Sequence, residues 1–344
     1  MTLRYPFSEP PGKGNAVSIN EQVKWLRSPL PLSLDHINCY LLHDGDGWAV
    51  VDTGMNGPAS RQQWLDVIAA ELDGAPLTRV FATHHHPDHV GLAGWLCERY
   101  RIPLWMSESE YFHTRAFNAP RRDPYWEVDQ YFVRAGMSLE SQQSLYANDD
   151  YNHMVSDVPL SYHRVADQDV IRIGDFDWLA ITSRGHAPEH LSLYCAELNL
   201  YLSGDQLLPK ITSNVSVSPT APTADPLGDW LQAHARIPAL VPEDALVLPA
   251  HQLPFHGVHT RLQQVVDHHE QRMASLETLC ETPKTAQQLT EQLFDRKLDA
   301  FQNFLAVGEC LAHLHRMLAE GRVSRTLQGD TFYFCSQEPA EGTP

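Results

Sequence analysis

Short apolar runs fill the chain between residues 20 and 106 and return after residue 165. They set the secondary structure to expect. Val23–Leu26 predicts a first strand. Ile37–Leu42 and Trp48–Val51 flank Asp44-Gly45-Asp46-Gly47, a hairpin signal, because Gly and Asp accept the positive φ that a tight turn demands. Ser60–Leu72 and Val90–Tyr100 carry helical spacing, whereas Arg79–Thr83 and Ile102–Met106 are short apolar runs of strand length. Further strands are predicted at Val170–Ile173, Trp178–Thr182, Leu191–Cys195, Leu200–Ser203 and Ala245–Leu248. Helices alternating with strands imply a layered α/β architecture.

Residues 107–165 break this alternation. Tyr111, Phe112, Phe117, Tyr125, Trp126, Tyr131, Phe132, Tyr146 and Tyr151 crowd there, interrupted by Asn118–Pro124. A helical insertion over the sheet edge is expected, either a packed subdomain or a lid over substrate. From about residue 259 the chain turns helical. Thr285 is placed to cap a helix through Leu293, Asp299–Glu320 is amphipathic, and Arg322–Thr326 and Thr331–Cys335 flank Gln328-Gly329-Asp330. Helices closed by a hairpin suggest a small winged-helix-like domain. The expected division is therefore 1–260, carrying the 107–165 insertion, and 261–344.

With 344 residues, 43% of them hydrophobic, the chain can bury a large core and a smaller one. Its formal charge of −18 repels nucleic acid and anionic membranes at long range. From Glu281 to Cys335 basic and acidic residues nearly balance and form no basic stripe, a poor footprint for a nucleic acid. The six cysteines are scattered and form no C-x-x-C pair, so reduced, buried thiols are expected. No signal-peptide or membrane-spanning run is visible, and a cytoplasmic protein is expected.

The chemistry concentrates in Thr83-His84-His85-His86-Pro87-Asp88-His89. Imidazoles and a carboxylate suit zinc, iron or manganese, and a short loop after a strand lets alternate side chains converge. A lone H-x-H would be weak; four potential ligands in this order are strong, against the bland alternative of a solvated polar loop. Three more follow apolar strands: His186 in Ser183-Arg184-Gly185-His186, Asp205 after Ser203-Gly204, and His251 after Pro249-Ala250. Four strand ends thus deliver potential ligands, at the place where α/β scaffolds build sites.

On Asp52-Thr53-Gly54, the H-x-H-x-D-H run, Gly185-His186, Ser203-Gly204-Asp205 and His251, the sequence resembles the metallo-β-lactamase superfamily over roughly residues 20–260. The resemblance implies an αββα sandwich with two divalent metals, zinc foremost and iron or manganese as alternatives. It assigns His84, His86 and His186 to one ion, Asp88, His89 and His251 to the other, and Asp205 to both. Asp52 would orient the first histidine run from behind, and His85 would not be a ligand. A hydroxide generated between the cations would attack the substrate, with Asp88 handling a proton.

Departures narrow the reading. His89 and Asp205 stand where antibiotic-hydrolysing class B1 enzymes carry Arg and Cys. Leu208 stands where acyl-homoserine lactonases carry Tyr. His251 is followed by Gln252-Leu253, not the Glu-Tyr of glyoxalase II, whose seven ligands are otherwise the same. A thioester or related small activated acyl substrate is the leading expectation. Alternatives are a phosphodiesterase or nuclease, a lactonase, a mononuclear iron sulfur dioxygenase, and a non-catalytic binding protein. The tail is expected to pack, to dimerise the chain or to close the site. His190 is a candidate for bonding the ligand loop. Arg121, Arg122, Arg184 and Lys210 could meet an anionic group, and Leu202–Val217 should line the cleft. His256, His259, His268 and His269 lack carboxylate partners and read as solvated or packed.

Overall fold

A computed structural model gives the protein's structure and describes residues 2–12, 14–31, 34–119, 125–138, 151–294 and 297–337. Contacts divide the chain into two compact units, Met1–Pro120 with Asp150–Ser213 and Arg236–Leu262, and Arg121–Asp149 with Asn214–Ala235 and Gln263–Pro344.

The first unit is a mixed α/β sandwich of two sheets. One sheet has seven strands in chain order: β1 (Ala16–Ser18), β2 (Val23–Pro29), β3 (His36–Asp44), β4 (Gly47–Val51), β5 (Leu77–Phe81), β6 (Leu104–Met106) and β7 (His163–Arg164). The predicted hairpin joins β3 to β4, with Asp44 opposite Gly47 and Gly45 at φ 65°. The second sheet has six strands: β8 (Val170–Ile173), β9 (Phe176–Ser183), β10 (His190–Cys195), β11 (Leu200–Gly204), β12 (Leu246–Pro249) and β13 (Phe255–His256).

The two-residue period of a strand sorts these side chains into layers. Tyr40 and Leu42 of β3 face the core between the sheets, where they join Trp25, Phe81, Trp178, Leu193 and Leu202. Ile37, Cys39 and Leu41 face the other way, against α1 (Pro58–Glu71) and α3 (Ala93–Tyr100), which contribute Trp64, Val67, Leu96 and Cys97. On the far face of the second sheet, Tyr194, Tyr201 and Val247 pack with Ile237 of α7 (Pro226–Leu240) and Val258 and Leu262 of α8 (Val258–Leu279). Four layers, αββα, result. Short α2 (Pro87–Val90) begins within the histidine run. α4 (Glu108–Asn118) follows β6, and a one-turn α6 (Tyr151–Met154) precedes β7.

In the second unit, α5 (Trp126–Ala135) packs its Tyr131, Phe132 and Ala135 with Leu289 of α9 (Ala286–Leu293) and Val307 and Leu314 of α10 (Ala300–Ala319). Thr285 and Asp299 each form a capping box at the start of their helix. β14 (Val323–Gln328) and β15 (Thr331–Ser336) close the unit as an antiparallel pair. Two stretches of the predicted insertion, 120–124 and 139–150, lie outside the described residues. All six cysteines are free, and all but Cys335 are buried. Among the described residues no helix is long and apolar enough to cross a membrane.

Candidate metal centre

The histidine run leaves β5 two residues after Phe81, and α2 immediately turns the chain so that Asp88 and His89 sit on its single turn. His186 follows β9, Asp205 follows β11 directly, and His251 lies two residues past β12. These strand ends bring the donors of His84, His86, His186 and Asp205 within 4.8 Å of one another, and those of Asp88, His89 and His251 within the same limit. Asp205 faces both sets. Its Oδ2 lies 3.4 Å from His186 Nε2 and 3.6 Å from His89 Nε2, while Oδ1 lies 3.4 Å from His251 Nε2. The Asp88 carboxylate is 3.6 Å from His89 Nε2 and 3.5 Å from His251 Nε2.

The donors fit divalent ions. His89 Nε2 and Asp205 Oδ1 are buried and make no hydrogen bond, although such atoms ordinarily find a partner. His84 Nε2 meets His86 Nδ1 at 2.8 Å and His186 Nε2 at 3.1 Å. Imidazole lone pairs gathered this closely call for a shared cation. The electrostatics agree. Burial, then the neighbouring imidazoles, push the pKa values of His84 and His86 well below the ordinary range. Burial opposes charge on His89 and His251 too, but there the carboxylates win: Asp88, Asp52 and Asp205 raise His89, and Asp205 and Asp88 push His251 up to about 10. Asp205 is held well below the carboxylate range, since His251 and His89 outweigh its burial. One half of the site repels a proton and the other half demands positive charge.

Four of the candidate donors, His84, His89, Asp205 and His251, are fixed from behind. Asp52 takes φ 57°, unusual for a non-glycine residue, at the end of β4. Its carboxylate accepts from the Thr83 amide at 2.8 Å and the Thr83 hydroxyl at 2.9 Å, and pairs with His89 Nδ1 at 2.8 Å. The expected backing residue therefore bonds the last histidine of the run directly and the first through Thr83, whose Oγ1 is 3.0 Å from His84 Nδ1. His190 Nε2 accepts from the Asp205 amide at 3.1 Å. Gly204, at φ 53°, lies against that ring; a Cβ there would stand 2.5 Å from Nε2. His251 Nδ1 bonds the carbonyl of His36 at 2.8 Å. His85 Nδ1 pairs with Glu110 Oε2 at 2.6 Å.

The other candidates take no part in these donor sets. Lys210 presents its amide to Gln252, and Arg184 is exposed. Arg121 and Arg122 lie outside the described residues. His256 and His259 bond backbone carbonyls, and His269 is buried against His313. Among the described residues the two sets around Asp205 are the groupings able to hold an ion. Sequence reasoning passed over His36, which has no motif, and Glu110, a lone acid in an aromatic stretch.

The profile of the metallo-β-lactamase superfamily matches residues 32–251. The chain belongs to the metallo-β-lactamase superfamily. A second profile, the metallo-β-lactamase-like C-terminal domain, matches residues 273–336 of this superfamily member. A β-lactamase domain protein from Burkholderia ambifaria is 36% identical, with a TM-score of 0.91 over 97% of this chain and 98% of that one. A metallo-β-lactamase family protein from Thermus thermophilus is 26% identical, with a TM-score of 0.80 over 93% of this chain and 100% of that one. The probable metallo-hydrolase YqjP of Bacillus subtilis is 25% identical over 337 residues, spanning 91% of this chain and 98% of its own length.

Proposed function

We propose that this superfamily member is a dinuclear metal-dependent hydrolase acting on a thioester or a related activated acyl compound. The observation that carries the two-metal reading is Asp205, whose carboxylate lies beside both donor sets, Oδ2 between His186 and His89 and Oδ1 beside His251. His84, His86 and His186 would hold one ion, Asp88, His89 and His251 the other, with Asp205 shared. Divalent ions bound there would supply Lewis acidity and lower the pKa of water toward neutrality.

The chain's own residues do the rest. Asp88 stays ionised despite burial, because His89 and His251 outweigh that burial, so it is in the anionic form that an ion ligand requires. Asp52 and the His36 carbonyl fix the imidazoles of the second set. The stack of His85 on Phe117, ring centroids 5.5 Å apart beside the histidine run, supports an apolar acyl group as the substrate. The acidic charge of the whole chain speaks against a polyanionic substrate. Metal analysis with a panel of acyl-CoA thioesters, lactones and bis-nitrophenyl phosphate tests this. Two zinc ions per chain and turnover of thioesters are expected. One iron per chain, or turnover confined to the phosphodiester, would overturn it.

A further inference from the structure

We infer that Glu110 is a positioning residue that clamps together the two loops carrying His84, His86 and His186, and so governs one ion position selectively. This rests on the two-metal reading above. Glu110 lies in the first turn of α4, at 0% exposure. A carboxylate buried this deeply must be matched by donors. Oε2 accepts from the amide of His85 at 2.9 Å and pairs with His85 Nδ1 at 2.6 Å. Oε1 accepts from the amide of Glu189 at 2.6 Å. One carboxylate therefore grips the backbone between His84 and His86 and the backbone three residues beyond His186.

The grip is reciprocal. Ser107 Oγ donates to the Glu189 carbonyl at 2.6 Å, and the Ser109 amide donates to the Glu189 carboxylate at 2.9 Å. The start of α4 and the His186 loop thus hold each other by both ends. A buried ion pair that served stability alone could end on any surface of α4. Glu110 instead bonds backbone amides within one residue of two donors and three of a third. The other set is fixed by different groups, Asp52 for His89 and the His36 carbonyl for His251. The two positions should consequently respond differently to a change at 110.

The test is Glu110→Gln. The amide side chain must turn an N–H toward His85 or toward Glu189, so a donor meets a donor. Two measurements apply. Competition of the purified enzyme with a chromophoric chelator resolves the two zinc affinities. Hydrogen exchange on the same protein, with and without zinc, follows the loop amides. We expect one zinc affinity to fall about tenfold or more while the other stays within about twofold, in keeping with the effect of residues that orient ligands. Exchange around residues 84–86 and 187–190 should accelerate together while 250–252 stays protected. Unchanged affinities and exchange overturn the clamp, as does a parallel fall of both affinities with general loss of protection. Failure of the wild-type protein to bind zinc would sink the two-metal reading instead, and uncoupled exchange of the two loops would then also sink the clamp.

Discussion

Gly204→Ala should strongly destabilise the protein and unseat Asp205. The added Cβ would stand 2.5 Å from Nε2 and 2.7 Å from Cε1 of His190, with Thr83 Cβ at 3.3 Å on another side. Ordinary contact needs roughly 1 Å more, and the ring is fully buried at 0% exposure. Overpacking of this kind costs about 1–3 kcal/mol. Alanine at φ 53° adds about 1 kcal/mol. If the ring moves, the Asp205 amide loses its acceptor, for about another 1–2 kcal/mol. The sum is about 3–6 kcal/mol, read as the shift in unfolding free energy of the metal-free protein in guanidinium. His190→Ala supplies the control. With the ring gone, Gly204→Ala should cost only its backbone strain, giving a coupling of about 2 kcal/mol or more between the two changes. Zinc affinity should fall with stability in the single variant, since Asp205 shifts with its amide. A cost under about 1 kcal/mol for Gly204→Ala, or strictly additive costs in the double variant, would refute the claim that His190 and Gly204 seat Asp205 together.

Asp205→Asn should abolish turnover and weaken zinc binding at both positions; unchanged metal content by elemental analysis would refute the sharing of Asp205. Asp52→Asn leaves a residue tolerant of positive φ, so its effect isolates the lost carboxylate: zinc affinity should drop about 10–100-fold in chelator competition. In the second unit, burial, then His313, His268 and Arg272, lowers His269 to about 3, and burial, aided by His268 and Arg272 against the Glu309 carbonyl, lowers His313 to about 4. Both histidines fold neutral and have pKa values near 6.5 when unfolded. Their stabilising effect is therefore complete above pH 6.5 and drains as pH falls toward 4, by about 1.4 kcal/mol per pH unit for each. His313→Gln should flatten the dependence of the denaturation midpoint between pH 6.5 and 5.

Much of the site was legible because its information is local. The H-x-H-x-D-H run and the strand-then-ligand pattern at His186, Asp205 and His251 depend on neighbours in the chain, as do the turn at Gly45 and the cap at Thr285. What could not be read depends on distant pairing. Glu110 acquires its role only when α4 meets residues 85 and 189. His36 bonds His251 through its carbonyl and the Gln252 amide through its ring, contacts that arise only once β3 meets the chain beyond β12. Helix α7 went unpredicted, for it carries Pro226 at its start and Pro238 inside, residues that normally bound helices. His190 was marked by spacing alone; its bond to the Asp205 amide needed β10 and β11 to pair.

The donors divide between the two sheets. Residues 84–89 hang from β5, whereas His186, Asp205 and His251 hang from β9, β11 and β12. Each of the two donor sets draws on both sheets, so an ion held by either would bridge the seam of the sandwich like a rivet. No part of the chain shorter than 84–251 possesses the whole donor set, so the rivet can close only after both halves have been built and brought face to face. Retained metal would then serve as a proofreading mark read in two stages: the set of His84, His86, His186 and Asp205 needs the chain only to residue 205, whereas the set closed by His251 needs β12 in place as well.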